Sequence, residues 1–194
     1  MTTIAAKRFT IDEYHRLIDL GFFAEDDRIE LIRGELIPMV SKSAAHSVCN
    51  TRLGRKLLIL LGDRAICRIQ EPILLPSDSE PEPDVAIVRN CDDDYLSGHP
   101  TPEDILLVIE VSNRTLAFDR EVKLSVYAEA GIGDYWIFNL VDRVLECYSQ
   151  PYRGDRGQFS YRKTLIFLPD ESVNLPHFSD LDLDLSAIFP EVVS

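Results

Sequence analysis

No run in this chain approaches the roughly 20 consecutive apolar residues that a membrane-spanning helix needs, which excludes such a helix as its organising element. The opening residues, Met1 to Phe9, lack the apolar stretch of a secretory signal, so no export is expected. Cys-x-x-Cys pairs are missing as well. Cys49, Cys67, Cys91 and Cys147 are scattered, which argues against a zinc site and for reduced thiols in a cytoplasmic protein. Nor is there an internal repeat, a low-complexity tract or a linker, so residues 1–194 are expected to form one domain.

Basic charge is scarce: 20 Lys and Arg stand against 33 Asp and Glu, a formal net charge of −13. Proteins that grip nucleic acid tightly draw much of their affinity from neutralising phosphates, so this balance speaks against strong nonspecific binding. The deficit is uneven, however. From Thr164 to Ser194 there are six acidic residues and no Lys or Arg, whereas Lys42 to Gln70 carries Lys42, Arg52, Arg55, Lys56, Arg64 and Arg68 against Asp63 alone. One face can therefore be basic on an acidic molecule, although Arg52, Arg55 and Lys56 read equally well as a solvated helix face.

What is present is the punctuation of a mixed α/β domain. Thr10 and Glu13 form a capping-box pattern ahead of a helix expected to stop near Gly21. Arg33-Gly34 marks a tight turn between two short strands within 28–38. Ser43 and Gly62 bracket a long helix over Ala44–Leu61. Strands are predicted at Ala65–Ile69, Pro72–Leu75, Asp84–Val88, Ile105–Val111, Asp134–Asn139, Arg143–Ser149 and Ser160–Phe167. A surface loop is expected over Asn90–Glu103 and a helix over Ala117–Ala130. The tail from Asp180 to Phe189 carries weak signals, compatible with one helical turn.

Two acids stand out from this pattern. In Ile105-Leu-Leu-Val-Ile-Glu-Val, strand alternation puts Glu110 on a face with Leu106 and Val108, in a run apolar enough to be covered on both sides. An unpaired carboxylate there costs several kcal/mol or takes up a proton, so it needs a cation, a basic partner or hydrogen bonds. Asp84 opens the equally apolar strand Val85-Ala-Ile-Val. If the two strands pair antiparallel, Asp84 and Glu110 meet at one end, where a hard divalent cation would relieve their repulsion. On the helix that follows, Phe118, Val122, Val126 and Ala130 read as the packed stripe, with Lys123 at its margin and in line with Asp119 and Tyr127. Each residue has an ordinary alternative: a turn cap at Asp84, a core arginine beside Glu110, an exposed ion pair of Lys123 with Asp119.

The motifs Pro81-Glu-Pro-Asp-Val-Ala-Ile-Val, Leu106-Leu-Val-Ile-Glu-Val-Ser, Asp119-Arg-Glu-Val-Lys and Asp134-Tyr-Trp-Ile, together with Arg28-Ile-Glu-Leu-Ile-Arg-Gly-Glu, resemble the bacterial Uma-two family of the PD-(D/E)XK, or restriction-endonuclease-like, superfamily. The resemblance implies a mixed central β-sheet flanked by α-helices. It further implies metal-dependent endonuclease activity on nucleic acid, DNA foremost, with Mg2+ or Mn2+ as cofactor. Asp84 and Glu110 are then the metal-holding acids and Lys123 completes the catalytic set. The superfamily lysine is displaced, because Ser112 stands two residues after Glu110 and the family places its lysine on the next helix. Glu30 is carried over as a further acid near the metal, against the alternative of a surface glutamate at a strand end. His46, in the first turn of the long helix, is a further candidate for facing a phosphate, and Gln70 and Glu71 are candidates for lining the site. Two rival readings remain: a catalytically silent nucleic-acid-binding or regulatory protein on the same fold, and a homodimeric interaction module.

Overall fold

The computed structural model describes residues 6–24 and 26–191. Thr10 caps α1 (Ile11–Asp19) with the complete reciprocal box that its sequence announced. Strands β1 (Ile29–Ile32) and β2 (Glu35–Pro38) form a hairpin whose turn residues Arg33 and Gly34 both have positive φ, at 50° and 75°. Gly34 is required there on a second count: an added Cβ would lie 2.8 Å from Arg8 Cβ and 2.9 Å from the Phe9 carbonyl. Helix α2 (Ala44–Leu61) starts at the Ser43 cap, whose hydroxyl accepts from His46 N–H, and stops at Gly62.

A six-stranded sheet runs β3 (Ile66–Ile69), β4 (Val85–Val88), β5 (Ile105–Ser112), β6 (Asp134–Asn139), β7 (Val144–Arg153) and β8 (Phe159–Phe167), with neighbours in that order. Only β5 and β6 are parallel; the other pairs are antiparallel. A parallel pair needs a crossover, and the segment from Leu116 to Glu129 supplies it. One face of the sheet packs under α2 and the C-terminal residues, through Leu53, Leu57, Ile87, Ile109, Phe138, Leu183 and Ile188. The other face packs under the crossover helix, through Ala86, Val108, Leu124, Tyr127, Tyr135 and Ile137. No helix among the described residues is long and apolar enough to cross a membrane.

The structure departs from the sequence expectations in four places. Pro72–Leu75 is not a strand. It runs as an irregular segment with one isolated bridge, Leu75 to Ser79, and a bond from Ile73 N–H to the Pro81 carbonyl. The tail forms a hairpin, β9 (Ser172–Leu175) with β10 (Phe178–Asp184), before a single 3-10 turn at Leu185–Ala187. Strict alternation in β5 fails at its start: a register shift between Ile87 and Val88 sends Leu106 and Leu107 to the same core.

The fourth departure concerns the crossover helix. It is not uniform but comprises α3 (Leu116–Phe118), a π-helical turn at Asp119–Lys123 and α4 (Leu124–Glu129). The wider turn rotates the following residues relative to an ideal helix. Phe118 and Val122 are therefore only half-buried, while Asp119, Lys123 and Tyr127 are the line turned fully inward. Lys123 is not at the margin of the packed stripe. It is in the middle of it.

Candidate active site

Strand register brings the two acids together. Val85 pairs with Ile109, so Asp84 and Glu110 adjoin one step beyond, where β4 begins and β5 approaches its end. Each leans on the other's backbone. Val111 N–H donates to Asp84 Oδ2 at 2.9 Å, and Asp84 N–H lies 3.4 Å from Glu110 Oε2. Glu110 faces the crossover helix, where Lys123 Nζ donates to its Oε1 at 2.9 Å and Tyr127 O–H donates to the same oxygen at 2.8 Å. No core arginine pairs with it among the described residues.

Glu30, from β1, is 4% exposed rather than a surface residue. Its Oε2 lies 3.1 Å from Lys123 Nζ and accepts from Glu82 N–H at 3.3 Å. His46 reaches the cluster from the first turn of α2, with Nε2 at 2.9 Å from Asp84 Oδ1. Gln70 Nε2 donates to that same oxygen at 3.1 Å. Glu71, the other candidate from this strand, turns outward toward Arg68 and takes no part.

Three contributors lay outside the expected set. Tyr127 was visible only as the third member of the Asp119–Lys123–Tyr127 line. Asp119, read as the surface partner of Lys123, is buried and accepts from the Ser112 hydroxyl at 2.7 Å. Ser112, two residues after Glu110, is thus a buried support for Asp119. Lys42, from the segment before α2, lines the same recess and is half-buried. The recess encloses about 270 Å³ and opens between the residues 38–43 and the residues 113–118, with Asp84, Glu110, Asp119 and Lys123 in its wall.

The electrostatics of this cluster are unbalanced. Glu30, Asp84, Glu110 and Asp119 are all buried around one buried ammonium, Lys123. Burial pushes the Glu110 carboxyl up to about 8 against the pull of Lys123, with Asp119, Asp84 and Glu30 adding to the rise. Burial likewise raises Asp119, against the opposing pull of Lys123 and the Ser112 hydrogen bond. Burial also pushes Asp84 upward, but the His46, Val111 and Gln70 hydrogen bonds and the His46 charge outweigh it and hold its carboxyl below the ordinary range. Desolvation would lower the Lys123 ammonium, yet Glu110, Glu30 and Asp119 together raise it well above its usual value. Two adjoining carboxyl groups are thus driven in opposite directions, and the acids of the cluster outnumber its cations.

The donor set fits a hard divalent cation. Magnesium takes oxygen ligands and is commonly held by one or two carboxylates, with water and phosphate oxygens completing its octahedron. Glu110 Oε2 receives only the long contact from Asp84 N–H, and Asp84 Oδ2, with the single bond from Val111 N–H, keeps acceptor capacity, whereas Oδ1 already meets His46 and Gln70. Among the described residues no group of three or more His, Cys, Asp or Glu side chains is placed to hold a metal ion.

A six-stranded mixed sheet with helices on both faces and a recess at the β4–β5 end defines a restriction-endonuclease-like fold. A nuclease-titled protein of the DUF820 group from Anabaena variabilis ATCC 29413, described as a "putative nuclease", shares it with a TM-score of 0.70 at 15% identity, over 93% of this chain and 97% of that one. The chain belongs to the Uma2 family, whose description reads "Putative restriction endonuclease" and whose pattern matches residues 11–186. No curated protein sequence matches it.

Proposed function

We propose that this protein is a metal-dependent nuclease that hydrolyses phosphodiester bonds, with Asp84 and Glu110 holding Mg2+ or Mn2+ and Lys123 completing the catalytic set. The observation that carries the reading is the excess of buried carboxylate over buried positive charge in one recess, Glu30, Asp84, Glu110 and Asp119 around Lys123. Such an arrangement is costly as mere structure, because a carboxyl without a compensating cation either stays buried as a charge or, like Glu110, is held protonated against its ordinary preference. It becomes favourable when a cation and a phosphate enter together. Membership of a family described as "Putative restriction endonuclease" supports DNA as the substrate of this reading.

A divalent cation bound by the two acids would supply Lewis-acid polarisation of a phosphoryl oxygen and a lowered pKa for water. The chain's own groups do the rest. Glu30 and Glu110 fix the Lys123 ammonium from two sides, so it meets an incoming phosphate or the attacking water without reorganising. Tyr127 holds Glu110 Oε1, leaving Oε2 as the oxygen directed toward Asp84. His46 and Gln70 orient Asp84. Lys42, in the wall of the recess, offers a second cation for phosphate oxygens.

The test is cleavage of supercoiled plasmid and of labelled oligonucleotides with magnesium or manganese. Asp84→Ala and Glu110→Ala are expected to lose activity by on the order of 100-fold or more. Equal cleavage by the wild type and Glu110→Ala overturns the assignment.

A further inference from the structure

Helix α2 carries a second feature beside the recess. His46 faces Asp84, and Asn50 stands one turn further along the same helix face. Asn50 is 6% exposed, yet its amide oxygen Oδ1 has no hydrogen-bond partner among the described residues. A buried acceptor left unpaired is destabilising, so it calls for a donor from outside the chain. Exchanging the two ends of the amide leaves an unpartnered donor instead, and the same demand.

Asn50 opens onto a groove where α2 overhangs β3, the edge strand of the sheet. The helix comes close because Gly54 has no side chain: a Cβ there would lie 2.7 Å from Ile69 Cδ1. The remaining lining is Thr51, Arg55, Leu58, Ile59, Ile69 and Gln70. Gln70 belongs to both places, since its amide also donates to Asp84 Oδ1. Leu58, Ile59 and Ile69 are exposed, giving the groove an apolar floor. Arg55 supplies a cation at its edge and has no carboxylate partner among the described residues. This matters because the basic segment 42–70 is otherwise partly consumed, with Arg64 bound to Asp180 and Arg68 beside Glu71.

We infer that this groove is a nucleotide subsite, holding one residue of a nucleic-acid strand whose scissile phosphate lies in the recess. Arg55 takes a backbone phosphate, the Asn50 amide pairs with a base edge, and the base ring lies on Ile69 and Leu58. His46 and Asn50 are about 6 Å apart along the helix, a length of about two stacked nucleotides. The strand therefore leaves the recess along α2, past Gln70, and meets the subsite within a nucleotide or two. The inference rests on the nuclease reading for this placement, but binding is measurable without cleavage.

The experiment is fluorescence anisotropy with a fluorescein-labelled 12-nucleotide probe in calcium, run with single-stranded DNA, single-stranded RNA and the DNA duplex. Arg55→Ala and Asn50→Leu are each expected to weaken binding of the preferred probe about 10-fold. Arg55→Ala also lowers the slope of log affinity against log salt by about 0.7, the value for one phosphate contact on a single strand, whereas Asn50→Leu leaves that slope intact. Lys163→Ala, which removes equal charge from distant β8, leaves affinity unchanged. Wild-type affinity in Arg55→Ala, or a wild type that binds none of the probes, overturns the subsite. Binding sensitive to Arg55 and Asn50 without cleavage by the wild type keeps the subsite and removes the nuclease reading. Cleavage with affinity insensitive to both residues does the reverse.

Discussion

Lys123 places its ammonium between Glu110 and Glu30, 2.9 Å from one carboxylate and 3.1 Å from the other, with all three side chains almost wholly withdrawn from water. An ion triad so buried is held together by mutual compensation, and removing the shared partner exposes the cost. Lys123→Met, of similar length and neutral, is expected to destabilise the metal-free protein by about 3–5 kcal/mol, because Glu110 and Glu30 lose the ammonium they share. Denaturant unfolding in EDTA measures this. Added magnesium should recover part of the loss without restoring cleavage, which separates the structural role of Lys123 from its catalytic one.

Glu110 sets a pH dependence of definite sign. Its carboxyl, raised from 4.5 to about 8, keeps a proton in the native state that the unfolded chain has already released. The native state therefore binds more protons between these values, and metal-free stability should fall as pH rises from about 4.5 to about 8. Thermal melts in EDTA across this range would show the decline, and Glu110→Gln should flatten it. For the same reason magnesium binding near pH 7 should release protons, detectable by calorimetry in buffers of different ionisation enthalpy.

The π-helical turn that aims Lys123 inward is anchored by Arg120. Its guanidinium bonds both oxygens of Glu146, at 3.0 and 2.6 Å, and Glu146 is itself buried on β7 beside Asn139 and Tyr148. Arg120→Ala leaves a buried carboxylate without its cation and, because the guanidinium is itself partly exposed and Asn139 and Tyr148 still bond Glu146, should cost about 1–3 kcal/mol, read in denaturant with or without magnesium. Indifference of stability to this substitution would mean that the turn is held by packing alone.

Gly34 ties the N-terminal hairpin to the segment ahead of α1. Phe9 N–H donates to the Gly34 carbonyl at 2.8 Å, and φ is +75° with no room for a Cβ. Gly34→Ala should destabilise the protein by more than about 1 kcal/mol and lower its melting temperature, because both the backbone conformation and the contact with Arg8 and Phe9 oppose a side chain. Since β1 carries Glu30, loss of cleavage alongside stability would show that the hairpin positions the site.

The amino-acid sequence alone determined most of the strands and helices around the recess and that two apolar strands each carry an acid; it made Asp84 and Glu110 neighbours only on condition that those strands pair antiparallel, which the structure supplies. These are matters of local period and capping: alternation, the Thr10–Glu13 box, Ser43 and Gly62 at the ends of α2. The tertiary structure decided the rest. Glu30 becomes a buried partner of Lys123 only when β1 is laid against the recess, and the inward turn of Asp119, Lys123 and Tyr127 follows from a π-helical segment that a 3.6-residue period does not reveal. The β9–β10 hairpin and the unpaired amide of Asn50 are likewise products of contacts between distant parts of the chain. Burial and hydrogen-bond satisfaction belong to the folded packing rather than to any stretch of residues, and it is these that single out the charged groups able to do chemistry.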